Sequence, residues 1–466
     1  MTGKRSGFIH RLFSYVTGKQ SDTQPQAPVP TLSILPRDQH TISRRHISDN
    51  ALKVLHRLNS HGYQAFLVGG CIRDLMLDLH PKDFDIATSA TPEEVRGLFR
   101  NSRIIGRRFK LIHVVFGREV IEVATFRASH RAEDDEHDSS ISHHSQKGRI
   151  LRDNVYGTIE DDAIRRDFTM NSLYYTTTDF SIHDYCGGVQ DIHNRVIRLI
   201  GDPETRYRED PVRMLRAIRF AAKLDFHIAD STAAPIATLA HLLKDIPAAR
   251  LFDEILKLFL SGRAESTYYL LQDYHLFESL FPATQASLKD APAAGQVIVN
   301  ALHNTDLRIQ EDKPVTPAFF FAAMLWPALV RLRDRYQNEG MPPVPALQQA
   351  ATQVISQQCR RTAIPKRFTI PMREIWEMQS QLERRQPRRV DELVTHPRFR
   401  AAYDFLLLRE QSGDEAIGDA GQWWTDYQAS SQDDARQALM KQLHSMPGNK
   451  RKRRKRRPRK RPGNTA

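Results

Sequence analysis

Apolar positions recur at helical spacing over residues 50–58 and then give way to an uninterrupted apolar run, residues 65–68, that reads as a strand. Gly69 and Gly70 break this run, and a helix is expected from Cys71 to about Leu79. Residues 83–87 read as a second strand. Residues 91–99 read as a helix with Thr91 as N-cap and Pro92 in the first turn. Two β-rich runs, 113–116 and 120–125, flank Gly117-Arg118, which suits a two-residue hairpin turn. A strand-like run follows at 172–176. Residues 209–224 have the period of an amphipathic helix, with Met214, Ile218, Ala221 and Ala222 on its apolar side. Beyond Leu224 the pattern is helical, broken near Pro247, Pro282, Pro314, Pro327 and Pro342-Pro343, so an α/β alternation is followed by a helical remainder.

Composition bounds this picture. The chain has 466 residues, enough for about three domains, and 40% of them are hydrophobic, enough for real cores. Lys and Arg number 68 against 55 acidic residues, a balance of +13. Residues 450–461 alone hold eleven cations and no anion, and subtracting them leaves about +2, so the positive field is concentrated in the tail. Cys71, Cys186 and Cys359 are an odd number without CxxC spacing, which argues against a disulfide framework or structural zinc and fits a reducing cytoplasm. The most apolar run, 318–330, is interrupted by Pro327 and falls short of the roughly 18 residues of a membrane span. Lys4, Arg5, Phe8, Ile9, Arg11, Leu12, Phe13, Val16 and Lys19 would suit a basic amphipathic helix at a membrane surface. No signal-peptide core accompanies them and a proline-rich stretch, 24–36, follows. Residues 1–47 are therefore expected to be a disordered leader and linker, with peripheral membrane association as the secondary expectation.

The candidate chemistry starts at Lys82-Asp83-Phe84-Asp85-Ile86. Side chains at i and i+2 of a strand share a face, so both carboxylates can reach one pair of metal ions. Two-metal phosphoryl transfer uses ions about 3.5–4 Å apart, and hard oxygen ligands favour Mg²⁺, whose shell is completed by water and substrate phosphates. Gly69-Gly70 would present backbone N–H groups and a helix N-terminus to a triphosphate, and Arg73 adds a cation. Alone, an Asp pair or a glycine pair is usually a solvated turn; their order and spacing here favour function. Glu122 faces away from Ile121 and Val123, either as a third metal carboxylate or as an ordinary solvent-facing residue. Arg165 and Arg166 carry the planar donor fork that suits triphosphate oxygens, against the plainer reading as helix ion pairs. The charged stretch 131–149, with His137, His143 and His144, reads as a mobile flap rather than a metal site.

Taken in order, several blocks resemble the nucleotidyltransferase head shared by bacterial poly(A) polymerases and bacterial-type tRNA CCA-adding enzymes. They are Gly69-Gly70 with Arg73-Asp74, Asp83-Phe84-Asp85, the block from Glu122 to Arg127, the block from Arg165 to Leu173 and the block from Arg208 to Ala217. They span about 51–260, nearly half the chain. The stretch 104–114 and the long chain ending in a basic tail are similar to the poly(A) polymerase branch.

The resemblance implies an α+β fold class: a nucleotidyltransferase head with a small mixed β-sheet and helices at 48–190, then a helical neck with a nucleotide-selecting helix (191–275), a helical RNA-binding body (276–445) and a disordered basic tail (446–466). It implies two Mg²⁺ ions on Asp83 and Asp85, with Asp167 joining the carboxylate set or positioning the arginines. Gly69, Gly70, Arg73, Arg127, Arg165, Arg166 and Arg216 are its nucleotide-binding positions, and Asp210 and Arg213 would read the incoming base. Arg360-Arg361, Lys366-Arg367, Arg384-Arg385 and Arg388-Arg389 are candidate phosphate contacts in the body. Arg451, Lys452, Arg453, Arg454, Lys455, Arg456 and Arg457 would tether RNA without reading its sequence.

The expected function is template-independent addition of AMP from ATP to RNA 3′ ends with release of pyrophosphate, serving RNA processing or decay. RNA 3′ ends and ATP are the expected partners, together with RNA-decay or RNA-chaperone proteins. The alternatives are a tRNA CCA-adding enzyme and a nonenzymatic RNA-binding adaptor.

Overall fold

The computed structural model describes residues 32–106, 110–128, 155–430 and 433–445. Residues 1–31, Arg107-Arg108-Phe109, the expected flap at 131–149 and the basic tail, including Arg451 to Arg457, lie outside the described residues.

Eight strands form one sheet: β1 (Ser33–Leu35), β2 (Ala65–Val68), β3 (Asp85–Thr88), β4 (Ser102–Ile105), β5 (Leu111–Phe116), β6 (Glu119–Thr125), β7 (Leu173–Tyr175) and β8 (Ile182–Asp184). Their order is β1-β8-β7-β2-β3-β6-β5-β4, and β3 with β6 is the one parallel pairing, so the sheet is mixed. The β5–β6 register, Phe116 opposite Glu119, leaves Gly117-Arg118 as the two-residue turn, with Gly117 at φ +62°.

Helix α1 (Asp49–Ser60) is capped by Ser48, and α2 (Gly70–Met76) follows β2 directly. Helix α3 (Pro92–Leu98) starts with a capping box between Thr91 and Glu94 and with Pro92 at its first position. Further on come α4 (Ile159–Arg165), α5 (Gly188–His193), α6 (Pro203–Glu209) and α7 (Val212–Leu224).

The sheet is covered unequally. On one face Leu67, Ile86, Val123 and Ile112 lie in register across four strands and enter a large core that continues through the neck as far as Leu408. On the other, Phe66, Val68, Ala87 and Tyr174 pack under Ile159 and Ala163 of α4 in a small cluster that includes no residue of β4 or β5. Among the described residues this second face is therefore uncovered toward β3, β6 and β5, where Asp85 and Glu122 are exposed.

Three sequence expectations shift. Residues 32–47 are not linker: β1 pairs antiparallel with β8, and Ile42 and Ile47 are buried, so this short apolar stretch is held by the sheet edge. The strand expected at 83–87 begins two residues later, at Asp85, although the alternation already holds at Asp83. The helix expected at 209–224 is two helices, because Pro211 forces Asp210 into an extended conformation with φ −144° and ψ 93°. Met214, Ile218, Ala221 and Ala222 are buried as the period requires.

The remainder is helical apart from a two-residue parallel pairing of His227–Ile228 with Val196–Ile197. Pro247 caps the helix Ala248–Phe259, and Pro282, Pro327 and Pro343 fall in the first turns of theirs, where a missing N–H costs nothing. A second core, from Met378 to Leu443, is built around Trp423 and Trp424. Among the described residues no helix is long and apolar enough to cross a membrane.

Candidate active site

Burial runs exposed, buried, exposed at Asp83, Phe84 and Asp85: Phe84 enters the large core and both carboxylates take the opposite, open side. Asp85 lies opposite Glu122 on the parallel strand, and Glu122 lies opposite His113 on β5. His113 Nε2 is 3.1 Å from Glu122 Oε1, which holds that carboxylate upright beside Asp85. Asp85 is exposed at its surface yet has protein on most sides, and that desolvation, then the charges of Glu122 and Asp83, push its carboxyl up to about 6, with Arg166 opposing them. Among the described residues no three His, Cys, Asp or Glu side chains converge tightly enough to enclose an ion. Ions held here would take the rest of their shell from water and substrate, as Mg²⁺ does.

Cations face this row. Arg166 caps α4 and is fixed from one side: Nη2 and Nε reach Asp162 at 2.8 and 3.2 Å, and Nε reaches the Tyr174 hydroxyl at 2.9 Å. The Tyr174 hydroxyl in turn donates to Asp162 at 2.7 Å. Burial works against the charge on Arg166, but Tyr174 and Asp162 outweigh it and raise its pKa. Its Nη1 is turned to the glycine pair, where a Cβ on Gly69 would come within 3.6 Å. Gly69 has φ +77°, open to glycine and strained for other residues. A Cβ on Gly70 would sit 3.4 Å from Arg73 Nη2, so the turn is pressed between two guanidiniums. Arg73 itself is buried, bonded to Asn171 at 2.6 Å and to Asp74 at 2.8 Å, and stacked over Phe220.

Arg127, Arg165 and Arg206 crowd the same region. Burial, then the neighbouring charges of Arg127, Arg166 and Arg206, push Arg165 down to about 9, still charged at neutral pH. Like charges packed this closely are matched by an anion with several oxygens.

The neck is locked to this segment. Arg206 of α6 donates through Nη2 to the carbonyls of Arg165 and Arg166 at 2.7 and 2.6 Å, and pairs with Glu209 at 2.8 Å. Asp167 accepts from Arg216 Nε of α7 at 2.6 Å. Burial would raise the Asp167 carboxyl, but Arg216, Asn171 and the Phe168 amide together hold it below the usual carboxylate range. Of the two roles expected for Asp167, the contact it makes is that of positioning an arginine; it is committed to Arg216 rather than to the carboxylate row.

The side chains of the two positions expected to read the base have separate partners, although the Arg213 amide donates to the Asp210 carbonyl at 3.0 Å. Asp210 pairs with Arg250 at 2.7 Å, and Arg213 pairs with Glu209 at 2.8 Å. In the body, Arg385 is not an open phosphate contact: it is buried, paired with Asp419 and set over Trp423. Arg361 is likewise spent on the Ser279 carbonyl, whereas Arg384, Arg388 and Arg389 are exposed. Sequence reasoning missed Asp162, Tyr174, Asn171, His113, Arg206 and Arg250. For Asn171 and Arg206 a signal existed, since both lie inside or beside the arginine-rich blocks already singled out.

This sheet, its acidic row and the facing arginines define a nucleotidyltransferase head on a helical body. Family models agree: residues 65–198 match the poly A polymerase head domain, 225–288 the probable RNA and SrmB- binding site of polymerase A, and 339–461 the polymerase A arginine-rich C-terminus. Poly(A) polymerase I of Salmonella typhimurium is 50% identical over 447 residues, 95% of either chain. The chain belongs to the poly(A) polymerase I family. A CCA-adding enzyme of Lactobacillus helveticus is 35% identical over 230 residues, 49% of this chain and 54% of its own. The solved Bacillus stearothermophilus CCA-adding enzyme in complex with CTP shares the fold, with TM-score 0.52 and 24% identity over 84% of this chain and 81% of that one.

Proposed function

We propose that the protein extends RNA 3′ ends without a template by transferring AMP from ATP. The RNA 3′-oxygen attacks the α-phosphorus, the bond from that phosphorus to the β-phosphate oxygen breaks, and pyrophosphate leaves. The observation that carries this reading is the meeting of Asp83, Asp85 and Glu122 with the arginine cluster across the Gly69-Gly70 turn.

The donor set fits divalent cations: Asp83 and Asp85 would hold two Mg²⁺, with Glu122 beside them. Bound there, the ions would activate the attacking oxygen and stabilise the leaving one. Arg166, fixed by Asp162 and Tyr174, presents Nη1 to the phosphates, and Arg127 and Arg165 supply further charge without reorganising at the moment of reaction. Gly69 and Gly70 let the triphosphate approach the backbone. Asp210 and Arg213, carried on the neck, select adenine by complementary donors and acceptors. To do so they must exchange their present partners, Arg250 and Glu209, for the base.

RNA is held by the helices of 225–288 and 339–445, with the basic tail as a tether, and RNA-decay or RNA-chaperone proteins dock there. Three free thiols, Cys71, Cys186 and Cys359, fit a reducing cytoplasm.

Supplying single nucleotides tests the reading. ATP alone should give long extensions on an oligo(A) primer, and loss of activity on Asp83→Ala with Asp85→Ala should accompany it. A requirement for CTP on trimmed tRNA would instead mark a CCA-adding enzyme, and unchanged function of the double variant would mark an adaptor.

A further inference from the structure

A second cationic pocket lies on the reverse of the sheet. Arg37, Ser43, Arg44, Arg45, Tyr175 and Phe180 line a cavity of about 260 Å³ between the segment after β1 and strand β7. Tyr175 stands opposite Leu67, on the face of the large core, whereas Tyr174, Val68, Asp85 and Glu122 share the other face. The pocket is thus separated from the carboxylate row by the thickness of the sheet.

Its side chains are not satisfied from within. Arg44 stacks 4.9 Å over Phe180, and Arg37 donates only to the carbonyl of its neighbour His40 at 2.9 Å. None of the three arginines has a carboxylate partner among the described residues, and no carboxylate lines the cavity. Tyr175 is 0% exposed, yet its hydroxyl has no hydrogen-bond partner. An orphaned buried hydroxyl carries a desolvation penalty that a ligand atom would relieve. A water could satisfy the hydroxyl, but Arg37, Arg44 and Arg45, exposed around the pocket, would still lack an anion.

We propose that this pocket is a phosphate site that takes a backbone phosphate of bound RNA outside the catalytic cleft. Three guanidiniums and a hydroxyl donor are the complement of a phosphodiester. The volume is below the roughly 300–1,000 Å³ of a pocket for a whole small molecule, so one unit of a polymer fits better than a free nucleotide. The choice of RNA as the polymer rests on the polyadenylation reading.

The test uses the full chain and a fluorescein-labelled oligo(A), with binding followed by anisotropy without ATP or metal. Arg44→Ala with Arg45→Ala should weaken binding on the order of tenfold and flatten the slope of log K against log salt by about 0.7 for each phosphate that is no longer neutralised. Tyr175→Phe, which removes the orphan without opening the core, should weaken binding several-fold with no fall in Tm. In extension assays the KM for primer should rise while the KM for ATP stays where it was. Unchanged RNA affinity and salt slope in both variants would overturn the site even if the wild-type chain extends RNA. Loss confined to phosphatidylglycerol vesicles would overturn it in favour of a membrane surface. Should the wild-type chain bind oligo(A) but incorporate no AMP, the polyadenylation reading falls, and the variants' weaker binding still supports the site.

Discussion

Asp85 and Glu122 face each other across the one parallel pairing of the sheet, with His113 braced against Glu122 from the next strand. Two acidic side chains in adjacent register repel unless a cation lies between them, and the Asp85 carboxyl is raised first by desolvation and then by the charge of Glu122.

A stability signature follows. Because Asp85 titrates near 6 in the folded chain rather than at the ordinary 3.8, the native state binds the proton more tightly than the unfolded one. Stability of the metal-free protein should therefore fall as pH rises from about 4 to 6 and level off above. Asp85→Asn should remove the slope and raise the Tm in EDTA at neutral pH while abolishing extension. Differential scanning fluorimetry across pH, with and without Mg²⁺, reads this directly.

Glu122→Gln separates its two readings. If the carboxylate helps hold cations, the Mg²⁺ concentration for half-maximal activity should rise at least several-fold, and His113→Ala should shift it in the same direction by less. A magnesium titration unchanged in both variants would leave Glu122 a solvated strand residue.

The Gly69 turn should tolerate no side chain. Gly69→Ala places a Cβ on a backbone at φ +77° and beside Arg166 Nη1, and should cost about 1–2 kcal/mol of stability. The larger effect is expected in the KM for ATP, because a turn strained at φ +77° would no longer hold its backbone in place beside Arg166 Nη1. Urea unfolding and steady-state kinetics on the same preparation distinguish the two contributions.

Arg206→Ala should loosen selection as well as stability. It removes two charge-assisted bonds to the carbonyls of Arg165 and Arg166, worth about 3 kcal/mol together. With the neck unlatched, CTP should be incorporated more often relative to ATP. Equal discrimination in the variant and the wild type would show that the latch is structural only.

Local elements were legible in the sequence because their causes are local. The strand Ala65–Val68, the cap at Thr91 and the Gly117-Arg118 turn follow from runs and spacings a few residues long. The carboxylate face was legible for the same reason, since alternation alone sends Asp83 and Asp85 to one side. Long-range partners were not. Nothing near Asp162 announces Tyr174, twelve positions on, and nothing near Asp210 announces Arg250, forty positions on. Residues 32–47 read as linker because prolines mark one, whereas the edge of a sheet that has no local signature recruits them. The break at Asp210 is present in the sequence as Pro211 but is masked by the stronger helical period on either side.

The grip of Arg206 on the main chain of Arg165 and Arg166 has an evolutionary corollary. Since the latch uses carbonyl oxygens, which no substitution deletes, the segment proposed to seat the phosphates stays tied to the helix that precedes the proposed base-reading residues. A descendant that came to favour another nucleotide would have to alter side chains where they stand instead of sliding one module past the other.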